Sequence, residues 1–249
     1  MSDIIFGRNP VLEALKAGHA ITKILIAQGV EVSGPLNQIV RLAQQQNIPT
    51  QFLPRQALDS LAGTSRHQAV VARTAPYQYA RLEAILSIAQ ASGEPPFLLL
   101  LDHIQDIHNI GPLLRTAESV GVHGVIMPAD RAVGITAAVR KTSAGAVEHL
   151  KIAQVPNLVR AMQTLKQQGI WLIGLAKAES AEDFLSADLS GGVGIVVGSE
   201  GKGLSRLVRD RCDRLVQLPM RGQVDSLNAS IAGSIVLYEV MRQRAKIIQ

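Results

Sequence analysis

Apolar positions near the start of the chain fall in short runs separated by polar stretches. Residues 21–27 (Ile-Thr-Lys-Ile-Leu-Ile-Ala) alternate and are rich in β-branched side chains, which predicts a strand. Residues 35–46 carry Leu36, Ile39, Val40, Leu42 and Ala43 at helical spacing, and residues 50–53 and 70–72 predict two more strands. Together they predict a small α/β unit. The pattern then changes: residues 81–91 predict a helix, and Ser-Gly-Glu-Pro-Pro at 92–96 predicts a break. The organisation expected is a first domain over residues 1–74, a linker over 75–95 and a second domain over 96–249.

From Phe97 onward, apolar runs alternate with helical patterns. Strands are predicted at 97–102, 124–127, 170–176 and 193–198, and helices at 111–120, 135–143 and 158–169. Continuous apolar strands between helices predict a parallel sheet covered on both faces. A last helix is expected from Asn228 to about Arg244, with Ile231, Ile235, Leu237, Tyr238 and Met241 on one side. That stripe suits burial either within the same subunit or against another one.

Composition narrows the class. The 249 residues are 47% hydrophobic and 18% charged, as in an ordinary globular chain. No apolar stretch approaches the roughly 18 to 20 residues that a membrane span needs, and Met-Ser-Asp-Ile-Ile-Phe lacks the pattern of a secretory signal. One cysteine, Cys212, excludes an internal disulfide and a multi-cysteine zinc site, so a reducing cytoplasm is expected. The net charge of +5 permits a polyanionic partner; residues 1–74 hold seven Lys/Arg against four Asp/Glu, which is a mild excess and no basic tail. Aromatic residues make up only 3%, which argues against a broad base-stacking platform.

Candidate chemistry concentrates in three segments, each placed where an apolar run ends. In an open α/β sheet, ligand loops lie there. The loop Gly198-Ser-Glu-Gly-Lys-Gly203 follows a strand but fits neither a dinucleotide fingerprint nor a P-loop, and it holds the acidic Glu200. Pro112 suits a first helical turn, so Asn109 is expected just before a helix and Arg115 in its first turn, against the helix dipole. An arginine there suggests a grip on phosphate, or else a salt bridge to Glu118. Ser226, Asn228 and Ser230 each suit the N-cap of the last helix and together suggest a polar pocket. His103 and His108 lack partners at metal-ligand spacing and read as loop or surface residues. No Ser-His-Asp set has recognisable context, so neither metal nor covalent catalysis is expected.

Read in order, the three segments resemble the motifs of the SpoU (TrmH-type) family of RNA ribose 2′-O-methyltransferases, in the SPOUT class. The first runs from Asn109 through Gly111 to Arg115-Thr-Ala, the second is Gly198-x-Glu200-Gly-x-Gly203, and the third runs from Pro219-Met220 to Ser226-Leu227-Asn228-x-Ser230. Residues 5–15 and Arg66-His67-Gln68 resemble that family's RNA-binding domain, with Ala69 standing where relatives usually have glycine. The resemblance implies a parallel sheet with a deep C-terminal trefoil knot, a topology that general fold rules would never propose. It further implies S-adenosylmethionine as cofactor, a homodimer that assembles the active site, and ribosomal RNA as partner.

On the same footing, Gly174, Leu175, Ala176, Gly198, Leu218 and Leu227 are expected at the cofactor, and Asn109, Arg115, Glu200, Ser226 and Asn228 at the chemistry. A guanidinium seldom gives up its proton. Arg115 is therefore expected to hold the target phosphate and to stabilise a developing alkoxide rather than to act as base. The whole chain most resembles the branch that methylates a guanosine of large-subunit (23S) ribosomal RNA. A tRNA ribose methyltransferase and a non-catalytic RNA-binding assembly factor are the alternatives.

Overall fold

A computed structural model of the chain describes residues 3–224 and 226–245. The first part builds β1 (Asp3–Phe6), α1 (Arg8–Lys16), β2 (Ile21–Ala27), α2 (Pro35–Gln45), β3 (Thr50–Leu53), α3 (Arg55–Ala62) and β4 (Val70–Thr74). The strands form one sheet in the order β1-β4-β2-β3; β4 runs antiparallel to both neighbours, and β2 pairs with β3 in parallel. Alternation along β2 sends Ile24 and Ile26 to a core with α1 and α2, through Leu15, Leu36 and Ile39. Leu25 and Ala27 point the other way, to a smaller core around Phe6, Leu58 and Val71. Such period-two sorting is what the pleat imposes. Helix α3 has no counterpart in the sequence reading, because it is only eight residues long and Leu58 is its single fully buried side chain.

The second part continues with α4 (Leu82–Ala91), β5 (Phe97–Asp102), α5 (Ile107–Ser119), β6 (Gly124–Pro128) and α6 (Ala137–Thr142). After a 3₁₀ turn at Ala146–Glu148 come β7 (Ile152–Val155), α7 (Leu158–Gln167), β8 (Trp171–Leu175), β9 (Glu182–Asp183), β10 (Val193–Gly198), α8 (Arg206–Arg209), β11 (Arg214–Gln217) and α9 (Ala229–Ala245). Seven strands form a sheet in the order β7-β6-β5-β10-β8-β11-β9, and every pairing is parallel. All six residues of β5 and all six of β10 are buried, in keeping with strands at the centre of a covered sheet.

Helices α4 and α7 cover one face, where Ile85, Leu158, Met162 and Leu165 pack with Leu98, Leu100, Leu172 and Val196. On α9, Gly233 lets the helix approach closely: a Cβ there would sit 2.9 Å from Leu113 of α5 and 3.1 Å from Val197 of β10. Two compact units result. One comprises residues up to Gln78 together with Ile135–His149; the other comprises Tyr79–Gly134 and the chain from Leu150 onward. Helix α6 thus belongs with the first unit although it follows β6, and α4, in the stretch expected as a linker, belongs with the second.

One local expectation needs correction. Helix α5 starts at Ile107, capped by Asp106, whose side chain accepts the His108 N–H at 2.8 Å. Pro112 therefore lies inside the helix and not in its first turn. Asn109 is within the first turn, and Arg115 stands two turns further on. The dipole conflict inferred for Arg115 does not exist, since the dipole acts within about a turn of the helix end.

Candidate active site

The loops at the C-terminal ends of β5, β10 and β11 belong to the same compact unit, and three of their polar side chains meet. Asn109, from the first turn of α5, is almost fully buried and donates from Nδ2 to Glu200 Oε2 at 2.7 Å. Asn228, at the start of α9, donates from Nδ2 to Asn109 Oδ1 at 2.6 Å and to Glu200 Oε2 at 3.3 Å. Its Oδ1 accepts from the backbone N–H groups of Ser230 (3.0 Å) and Ile231 (3.3 Å) and from the Ser230 hydroxyl (2.6 Å). Asn228 is thus the N-cap of α9 as well as a member of the cluster. Residues 91 and 119 positions apart in sequence are held at one point by the strand order.

The glycine loop owes its shape to close backbone approach. Ser199 and Gly203 bond to each other in both directions (3.1 and 2.8 Å), folding the loop back over Gly198. A Cβ on Gly198 would lie 2.2 Å from the carbonyl of Gly203, so no larger residue fits there without rearranging the loop. Asp102, at the end of β5, locks the base of this loop: its buried carboxylate accepts the Ser205 N–H at 2.6 Å and also contacts His103 Nδ1 at 2.5 Å. Sequence reasoning overlooked Asp102 and Asp106. An aspartate ending an all-apolar run, and one placed two residues before a helical amide, were the available signals.

Beside the cluster lies a cavity of about 720 Å³. Its walls include Leu175, Ala176, Gly198, Leu218, Ser226 and Leu227, with Glu200 at its edge. Among the residues expected at a cofactor, Gly174 does not reach this wall. A Cβ there would sit 2.8 Å from Cys212 Sγ and from Leu204, so this glycine serves packing beneath the cavity. Asp225, in the third segment, lies outside the described residues.

Arg115 stands apart. It is exposed, and its guanidinium makes no hydrogen bond or ion pair among the described residues, so the expected alternative, a bridge to Glu118, is not formed. At 3.6 residues per turn, Arg115 points about 120° away from Asn109 around α5. One chain therefore assembles the Asn109–Glu200–Asn228 cluster and the cavity, but not their contact with Arg115. Cys212 takes no part. Burial, helped by the nearby Asp213 charge, pushes its thiol up to about 12, far from a nucleophile's range. His108 is exposed on α5 and His103 lies in the loop before it. Among the described residues no group of three or more His, Cys, Asp or Glu side chains could hold a metal ion, and no helix is long and apolar enough to cross a membrane.

Residues 96–238 match the family model of the SpoU rRNA methylases. The chain belongs to the SpoU rRNA methylase family. By that membership it is an RNA methyltransferase. Residues 4–80 match a second model, for the RNA 2′-O ribose methyltransferase substrate-binding domain. YacO, a TrmH family protein of Bacillus subtilis (strain 168), is 44% identical over 242 residues, covering 97% of this chain and 96% of its own. A TrmH family protein of Staphylococcus aureus (strain MSSA476) is 44% identical over 243 residues, with the same two shares of 97% and 96%.

Among solved structures, the SpoU methyltransferase AviRb from Streptomyces viridochromogenes aligns with a TM-score of 0.81 at 24% identity, covering 98% of this chain and 90% of AviRb. Its complex with the cofactor AdoMet aligns equally well, at 23% identity over 98% and 91%. The TrmH/SpoU tRNA modifying enzyme of A. aeolicus covers 67% of this chain and 85% of its own, with a TM-score of 0.55 and 26% identity. The SpoU fold, parallel sheet included, is therefore the fold of this chain.

Proposed function

We propose that this SpoU family member transfers a methyl group from S-adenosylmethionine to the ribose 2′-hydroxyl of a guanosine in 23S ribosomal RNA, in the cytoplasm. The observation that carries the reading is the convergence of Asn109 and Asn228 on Glu200, which itself lines the glycine-rich cavity. The cavity fits a cofactor of that size, since pockets for such ligands run from about 300 to 1,000 Å³ and are mostly apolar with a few placed polar groups. Leu175, Ala176, Leu218 and Leu227 would line the cofactor, and the bare backbone of Gly198 would let it approach. When bound, S-adenosylmethionine supplies an already activated methyl group.

What remains for the protein is placement and charge. A ribose hydroxyl is a weak nucleophile, and holding it in line with the methyl donor supplies much of the rate. Glu200 takes both amide donors on Oε2, which leaves Oε1 to accept the 2′-hydroxyl proton. Arg115, with a free guanidinium, would grip the target phosphate and stabilise the alkoxide as it forms. Ser226, at the cavity wall, would complete the polar rim.

Arg115 reaches such a site when a second copy supplies it. Ile231, Ile235, Tyr238 and Met241 form an exposed stripe along α9, while Val236, Leu237 and Val240 face inward. A homodimer would cover the stripe and bring Arg115 of one chain to the cavity of the other. The parallel sheet would carry the family's C-terminal trefoil knot; the insertion of β10 between β5 and β8 supports that threading. Residues 1–74 would select the RNA, joined through 75–95 to a methyltransferase domain over 96–249. The substrate-binding match over residues 4–80 favours rRNA over tRNA, since the tRNA modifying relative covers only 67% of this chain.

Mapping ribose methylation in rRNA and tRNA from cells with and without this protein separates the readings. The expected result is loss of one methylated guanosine in 23S rRNA. Loss of a tRNA mark instead would transfer the assignment to tRNA, and no loss in either would favour a non-catalytic assembly factor.

A further inference from the structure

In the first compact unit, three distant stretches meet at one spot and bring two cations, Arg8 and Lys141, to the neutral amide of Gln68. Lys141, from α6, lays its side chain over Gly7, where a Cβ would come within 2.5 Å of Nζ. Its ammonium donates to Gln68 Oε1 at 2.8 Å, and the same oxygen accepts the backbone N–H of Arg8 at 3.0 Å. Arg8 also donates from Nε to the Gln68 carbonyl at 3.3 Å, which leaves the outer edge of its guanidinium open. Among the described residues no carboxylate pairs with Lys141 or Arg8. Three nearby carboxylates are engaged elsewhere: Glu13 pairs with Lys16 and His149 (both 2.9 Å), Asp59 bonds His67 Nε2 at 3.0 Å, and Glu148 bonds the buried Arg140 at 2.9 Å.

Such an arrangement costs stability. A half-buried ammonium facing one neutral oxygen has lost water without gaining a counter-charge, and burial pulls the Lys141 pKa below that of an ordinary lysine. Gln68 and Ala69 both adopt left-handed backbone angles, with φ of 54° and 69°. Neither is glycine, and residues held in such conformations persist only where the surroundings enforce them. Here His67 does so. It is fully buried, anchored to Asp59, and its Nδ1 accepts the Ala69 N–H at 3.1 Å. In this conformation Gln68 Oε1 accepts from both the Lys141 ammonium and the Arg8 backbone N–H.

We infer that Lys141, Arg8 and Gln68 form a subsite for a phosphate group of the RNA backbone, with the ammonium and the open guanidinium edge taking the non-bridging oxygens. The chemistry is that of a phosphodiester monoanion. A planar guanidinium and an ammonium are suited to it, and the Gln68 amide nitrogen adds a neutral donor. The subsite rests on the reading of the chain as an RNA methyltransferase with an RNA-selecting first unit. It adds to that reading a specific contact to which α6 contributes, from within the segment matched as methylase.

The test uses the full chain and its Lys141→Gln, Arg8→Gln and Lys141→Arg variants, with melting curves to confirm folding. Affinity for a transcribed 23S rRNA fragment is measured across a series of KCl concentrations. Each Gln variant should bind several-fold more weakly, and the slope of log Kd against log salt should fall by about 1 per lost phosphate contact. Lys141→Arg should keep most of both. S-adenosylmethionine affinity and kcat at saturating RNA should stay unchanged while KM for RNA rises. Unchanged RNA affinity and salt slope in folded Gln variants would overturn the subsite while leaving the methyltransferase reading intact. A wild-type chain that neither binds nor methylates RNA would overturn both. Inorganic phosphate provides the remaining arm: if it raises the melting temperature of wild type but not of Lys141→Gln, with RNA affinity equal in both, the site takes free phosphate and the RNA assignment fails.

Discussion

Asn228 uses both ends of its amide. The oxygen closes the N-terminus of α9, and the nitrogen reaches Asn109 and Glu200. Helix start and site geometry therefore depend on one side chain, and a substitution can separate the two roles. In Asn228→Asp the carboxylate still caps, because aspartate and asparagine are similar N-caps. It can no longer donate, however, and it places a second negative charge beside Glu200. We expect methyl transfer to fall by roughly 100-fold or more, the scale of losing one placed donor, while stability changes by no more than about 1 kcal/mol. Single-turnover kinetics alongside thermal melts check this. Activity near wild type would show that the donors are dispensable.

At the level of elements, β10 and the loop after it carry the cavity wall. Gly198→Ala should disrupt the loop more than its single methyl suggests, since the contact it would make is with backbone at 2.2 Å, and backbone cannot yield as a side chain tip can. Calorimetry should find S-adenosylmethionine affinity reduced at least tenfold, about 1.4 kcal/mol; unchanged affinity would place the cofactor elsewhere. Helix α9 supports a second test. Arg115→Ala and Glu200→Ala should each be inactive alone. Mixed and re-equilibrated, they should recover roughly a quarter of wild-type activity, because half the dimers are mixed and one site in each is whole. If both residues act within one chain, no activity returns.

These elements differ in how plainly the chain announces them. The central strands β5 and β10 are unbroken apolar runs, and both emerge with their predicted bounds. Strands β7, β9 and β11 span two to four residues each and, unlike the equally short β3, lack a clear run of apolar or β-branched residues bounded by turn signals. Pro112 misplaced the start of α5, because a proline in a helix is read as belonging to the first turn unless the true cap, Asp106, is recognised. The motifs marked the right loops, but which side chains touch depends on strand order. Asn109, Glu200 and Asn228 meet because β10 lies next to β5. Arg115, on another side of α5, does not join them.

On the scale of the whole molecule, sequence order and spatial units do not coincide. Helix α6 and the following 3₁₀ turn pack into the first unit, where Arg140 and Glu148 form a buried pair. A cut at residue 74 would leave that pair without part of its surroundings, so removing residues 1–74 is not a clean experiment, and point substitutions on their surface are the better probe. The two family models follow sequence order, whereas the first spatial unit draws on segments that both of them match.

Methyl transfer to a ribose hydroxyl is the task proposed for the cavity and the polar cluster. The most direct measurement incubates purified full-length chain with methyl-labelled S-adenosylmethionine and unmodified 23S rRNA, then digests the RNA to nucleosides and identifies the labelled one. Label is expected in 2′-O-methylguanosine and should be absent when Arg115 is alanine. Label in a methylated base, or none in any nucleoside from a folded chain that binds both RNA and cofactor, would contradict it.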